Sequence, residues 1–117
     1  MTDDEVWKAI IDQFGAWQLT DDQTACLLGI SSDDWSSIQS GGHDGILTEE
    51  MWQRVNALFR IRAALQVILM EPRCNGWVHR PNKAEMFDGE TALNFMIAGG
   101  LPAIDQVARY LEAELYA

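Results

Sequence analysis

Between Thr48 and Glu71 the chain carries one apolar stripe, Met51, Trp52, Val55, Leu58, Phe59, Ile61, Leu65, Ile68 and Leu69, spaced mainly by threes and fours. That spacing turns one face of a helix toward a core and predicts Arg54, Arg60 and Arg62 on its wet face. Thr48 with Glu49 and Glu50 supplies the cap and first-turn acids, and Pro72 bars continuation. At a rise of 1.5 Å per residue the element is about 35 Å long, enough to bridge two subdomains. The rest of the chain must pack around it.

Upstream, Asp3, Asp4 and Glu5 precede Val6, Trp7, Ile10, Ile11 and Phe14, a first helical stripe that Gly15 is expected to end. Thr20 and Gln23 have the capping-box spacing and predict a short helix through Ala25, Leu27 and Leu28 to Gly29. Ser31 to Asp34 then cap a third helix carrying Trp35 and Ile38, closed by Gly41 and Gly42. A small residue at Ala25, Gly at +4 and large apolar residues at +10 and +13 are helix-turn-helix spacing.

Downstream, Pro72 to Gly76 reads as a turn. Trp77, Arg80-Pro81, Asn82-Lys83 and Phe87 form a shaped loop, with a helix start expected at Asp88-Gly89. Ala92, Leu93, Phe95, Met96 and Ile97 carry that helix to a stop at Gly99-Gly100. Leu101 to Leu115 repeat at helical spacing, with Pro102 in a first turn. The expected fold is all-α: a helix-turn-helix subdomain over 1–47, a connecting helix over 48–71 and a C-terminal helical subdomain over 72–117.

The net charge of −10 on 117 residues is uneven. Residues 1–47 hold nine acids against one base, a net −8, and residues 48–117 hold nine acids against seven bases. An acidic helix-turn-helix repels nucleic acid. Cys26 and Cys74 stand without CxxC spacing, the N-terminus is acidic rather than signal-like, and the apolar run Ala63 to Met70 is far short of a membrane span. A reduced cytoplasmic protein with no membrane association is expected. Cys26, Cys74, Trp7, Trp35 and Trp52 read as core, and His43 as loop surface.

No convergent nucleophile and base can be assembled, and the paired acids sit in helix first turns, where capping explains them. Neither His43 nor His79 has a Cys or acid at metal-ligand spacing. Catalysis, metal and cofactor are therefore not expected.

The order helix-turn-helix, long helix, W-x-x-x-P-N, x-F-x-G-x-x-A-L and Gly-stopped helix resembles the Xre/MbcA/ParS antitoxin family over about residues 16–112. Trp17, Leu19, Leu28, Gly29, Ile30 and the Leu58-Phe59 region match its first part. Trp77, Pro81, Asn82, Phe87, Gly89, Leu93, Gly99 and Gly100 match its C-terminal domain. Ala92 stands where the family usually has Pro.

The resemblance implies an antitoxin that neutralises a RES-domain, NAD-consuming toxin by covering its active site with the C-terminal region, and that forms a homodimer or a larger toxin–antitoxin assembly. Trp77, His79 and Arg80 would offer a rim. Contact would be densest after Gly100, where Tyr110, Glu112, Glu114, Leu115, Tyr116 and the terminal Ala117 would fill the cationic toxin cleft as an anionic mimic. The alternative is an autoregulator, alone or with toxin, reading an operator through Ser32, Ser36, Ser37 and Gln39. That helix has no Lys or Arg for phosphates.

Overall fold

In the computed structural model, residues 3–41, 48–70 and 73–115 are described, and their fold is all-α. The expectations on Gly42, His43, Gly45, Glu71, Pro72, Tyr116 and Ala117 lie outside those residues.

Hydroxyl caps set the starts of α2, α3 and α4. The Thr20 hydroxyl accepts from Gln23 N at 3.1 Å while the Gln23 side chain accepts from Thr20 N at 2.9 Å, closing the capping box. Ser31 accepts from Asp34 N at 3.1 Å, and Thr48 from Met51 N at 3.2 Å. The helices are α1 (Asp3–Ala16), α2 (Asp21–Leu28), α3 (Ser32–Gln39) and α4 (Glu49–Ile68), then the single turn α5 (Arg73–Gly76), a 3-10 turn (Trp77–His79) and α6 (Ala92–Leu115).

Local details depart from the sequence reading. Gly15 does not end α1, which runs to Ala16; the left-handed residue is Gln18, at φ 55°. Gly29 takes the expected left-handed cap of α2, at φ 73°. α4 stops at Ile68 because Leu69 is extended, so the helix is about 30 Å long. Its buried face is Met51, Val55, Ala57, Leu58, Ile61, Ala64 and Leu65. Trp52 is 44% exposed and Ile68 40% exposed, a correction to the expected stripe. Cys26 is exposed rather than core, while Cys74 is buried.

The loop after Arg80 is tied at its neck. Pro81 and Thr91 form a β-bridge, Asn82 N donates to Glu90 O at 3.1 Å, and Gly89 N donates to Asn82 O at 2.9 Å. Asp88 and Gly89 are left-handed turn residues at φ 50° and 85°, not a helix start. The helix begins at Ala92, and the Thr91 hydroxyl accepts from Asn94 N at 3.1 Å. The expected stop at Gly99-Gly100 is present: Gly100, at φ 67° and ψ −150°, is non-helical and kinks α6 into two helical segments.

One hydrophobic cluster runs from Val6 on α1 to Leu111 on α6. Its main seam is α4 against α6, where buried Ala57, Ala64, Ala103 and Ala108 sit on the two facing helices among Ile61, Ile104 and Val107. Among the described residues, no helix is long and apolar enough to cross a membrane.

Candidate partner-binding face

Phe87 organises the C-terminal region. Its ring meets Trp77, Phe95 and Tyr110 edge-on, at centroid distances of 5.9, 5.3 and 5.6 Å. Quadrupole geometry favours such edge contacts. Phe87 itself is buried, and it fixes the half-buried Trp77 at the surface.

Around Trp77 lies a cleft of about 340 Å³, lined by Leu69, Arg73, Trp77, Arg80, Pro81, Asn82 and Lys83. The Arg80 guanidinium donates to the Arg73 carbonyl at 2.7 Å, which holds the two residues together. Among the described residues three cations and no acid line the cleft, although the protein carries −10. None of the three is in an ion pair among the described residues. The arrangement favours a carboxylate or phosphate stacked near an indole.

Arg80 was expected here; Arg73 and Lys83 were not. The available signal was the absence of any Asp or Glu from residue 72 to residue 84. His79 faces inward in function though exposed in part: its Nε2–H donates to the Trp17 carbonyl and ties the 3-10 turn to the end of α1.

The terminal helix is more committed to the fold than the sequence suggested. Tyr110 and Leu115 are half-buried against the core. Glu112 is paired within the chain, contrary to its expected role as a free anion. It accepts from Arg60 Nε at 3.1 Å and also from Nη2, while Arg60 Nη1 reaches Asp105 at 3.3 Å. Arg109 Nε meets the other Asp105 oxygen at 2.8 Å. The hydrogen bonds from Arg60 hold the Glu112 carboxyl below the usual carboxylate range, and the same contacts raise Arg60. Glu114 is exposed and stays available.

Arg54 and Arg60 correct the expected wet face of α4. Arg54 is 12% exposed along its side chain and donates to the Leu27 carbonyl at 3.2 Å and the Cys26 carbonyl at 3.5 Å, capping the end of α2. On α3, Ser36, Ser37 and Gln39 are exposed as expected. Ser32 donates to Asp22 at 2.6 Å, so its hydroxyl is engaged locally. Residues 21–40 contain no Lys or Arg, and the nearest guanidinium, Arg54, is spent on carbonyls.

No protein-family model matches the chain, and no solved structure matches it. A protein of Sinorhizobium fredii (strain NBRC 101917 / NGR234), described as "Uncharacterized protein y4oB", is 31% identical over 99 residues, covering 84% of this chain and 74% of that protein.

Proposed function

The chain belongs to one family with the Sinorhizobium fredii protein y4oB, and for it we propose the role of antitoxin in a type II toxin–antitoxin pair. It neutralises a RES-domain, NAD-consuming toxin by covering the toxin's active site with its C-terminal half. The observation that carries this reading is the cation-lined cleft at Trp77, a basic site whose three cations are in no ion pair among the described residues of an acidic protein, close in sequence to the exposed Val67 and Met70. Aromatic and Arg anchors surrounded by apolar area are the usual composition of a protein interface. The cleft grips acidic groups on the toxin rim, and Glu114 is the described anion of the last helix left to approach the toxin's phosphate-binding cations.

The test is co-expression with the neighbouring gene product and, separately, with a RES-domain toxin, followed by copurification and measurement of cellular NAD. The wild-type chain should copurify and preserve NAD. The double reversal Arg80→Glu, Lys83→Glu should lose both while keeping its thermal melt. NAD depletion despite soluble wild-type chain sinks the antitoxin reading, and full protection by the double reversal sinks the cleft as its docking point. Salt-sensitive retardation of the upstream DNA by the isolated protein would instead favour the operator-binding reading.

A further inference from the structure

The cleft beside Trp77 carries two chemistries in one concavity. Leu69, Trp77 and Pro81 give it apolar surface, and Arg73, Arg80, Lys83 and Asn82 give it polar groups. Those four side chains offer donors. A guanidinium and an ammonium have no acceptor atom. The Asn82 Oδ1 already accepts from Ala84 N at 2.8 Å, while its Nδ2 is unpaired among the described residues. Such a lining selects a ligand with acceptor oxygens at one end and a flat apolar ring at the other.

Charge narrows the choice. The Arg80 guanidinium donates to the Arg73 carbonyl at 2.7 Å, and its Nη2 lies 4.0 Å from where a Cβ on Gly76 would stand, so it is folded back on α5. Arg73, Arg80 and Lys83 are thereby gathered at one cleft, and none of them is in an ion pair among the described residues. Like charges held together repel, and an anion of more than one charge relieves them best. A carboxylate carries a single charge. A diphosphate carries more, and its several oxygens match the guanidinium fork.

We propose that the cleft is a nucleoside diphosphate site, with the phosphates on Arg73, Arg80 and Lys83 and the base against Trp77. The indole is half-buried, and its edge contact with Phe87 at 5.9 Å fixes its plane before a ligand arrives. An aromatic platform holds any base by its face, so the site takes the class rather than one base. The volume of about 340 Å³ lies in the range of small-molecule sites. A nucleic-acid strand would meet the −10 of the whole chain, which a mononucleotide in the cleft largely escapes. The binding stands on the cleft alone. Its consequence rests on the antitoxin reading: bound nucleotide occupies the cations that the toxin's acidic rim would use, and so displaces the toxin.

Calorimetric titration of the full chain at low salt tests the site, with ADP, inorganic pyrophosphate, adenosine and a short DNA strand as probes. ADP should bind at least about fivefold tighter than pyrophosphate, the lower end of what stacking one base contributes, and adenosine should not saturate. Lys83→Glu should weaken ADP binding at least about tenfold. Lys8→Glu, the same reversal at an exposed residue outside the cleft, should leave it within about twofold. Absence of ADP binding overturns the proposal, as does pyrophosphate bound as tightly as ADP, equal weakening by the two reversals, or a DNA strand bound more tightly than ADP. In the purified toxin pair, ADP at about ten times its own Kd should raise the pair's Kd at least about fivefold, and an unchanged pair overturns the displacement. A chain that binds ADP but pairs with no toxin sinks the antitoxin reading and the displacement together, and leaves the nucleotide site standing.

Discussion

Arg60 on α4 and Glu112 on α6 clamp the main helix–helix contact through paired guanidinium–carboxylate hydrogen bonds between residues 52 positions apart. The Glu112 carboxyl is held below its ordinary range by Arg60, so its folded pKa lies under its unfolded one. Its contribution is fully present above the unfolded value, about 4.3. It is lost as pH falls through the folded value. Both side chains are about one-third exposed, so solvent screening limits the effect to roughly 1 kcal/mol or less. Glu112→Gln should therefore lower stability modestly at pH 7 in urea unfolding. Molar salt should shrink the difference, and acid below the carboxylate range should erase it.

Arg54 closes α2 from a different helix. Its guanidinium reaches the Leu27 carbonyl, one that the helix end leaves without an intrahelical partner, and approaches the Cys26 carbonyl, which already accepts from Gly29 N at 3.2 Å. Because Arg54 is nearly buried, Arg54→Ala removes the Leu27 carbonyl's guanidinium donor and should cost about 1–3 kcal/mol in a denaturant titration. Arg54→Lys should recover only part, since one ammonium cannot reproduce the fork. Gly29→Ala should be costly at the same place, because its φ is 73° and a Cβ would stand 3.0 Å from the Arg54 guanidinium.

These two arginines mark where sequence reading stops. Thr20, Ser31 and Thr48 were legible as caps because capping is settled within three residues. The buried 3–4 stripes of α1 and the later half of α6 were legible for the same local reason. Arg54 and Arg60 read as a wet face because their partners lie 27 and 52 residues away. Trp52 read as core because a stripe wider than one face admits either side, and only the packing of α6 decides which. The cleft was half legible: Arg80 was expected, but Arg73 joins it only after α5 and the 3-10 turn fold the chain back. The antitoxin partner was read from resemblance and the acidic tail from its carboxylates; Glu112 is paired within the chain, and Glu114 carries that role into the proposal.

The kink in α6 rests on adjacent glycines with different jobs. Gly100 sits at φ 67° and ψ −150°, a region closed to residues with a Cβ, and Gly100→Ala should cost about 1–3 kcal/mol through strain. Gly99 instead has no room, since a Cβ there would lie 2.5 Å from the buried Ala103 Cβ. Gly99→Ala should therefore be relieved by Ala103→Gly, whereas Gly100→Ala should not. A double-mutant cycle of melting free energies separates the two mechanisms.

His79 links the cleft to the N-terminal helices through one bond, Nε2–H to the Trp17 carbonyl. Trp17 is buried, so its carbonyl depends on this donor, and the bond fixes the turn that presents Trp77 and Arg80. His79→Ala should cost about 0.5–1.5 kcal/mol, the usual net worth of such a bond. Its local consequence should be larger than its global one. Hydrogen exchange should quicken at Arg80, whose N–H donates to the Trp77 carbonyl at 3.2 Å, before it quickens in α4. Equal acceleration in both would mean that the bond supports the whole core rather than the angle of the cleft.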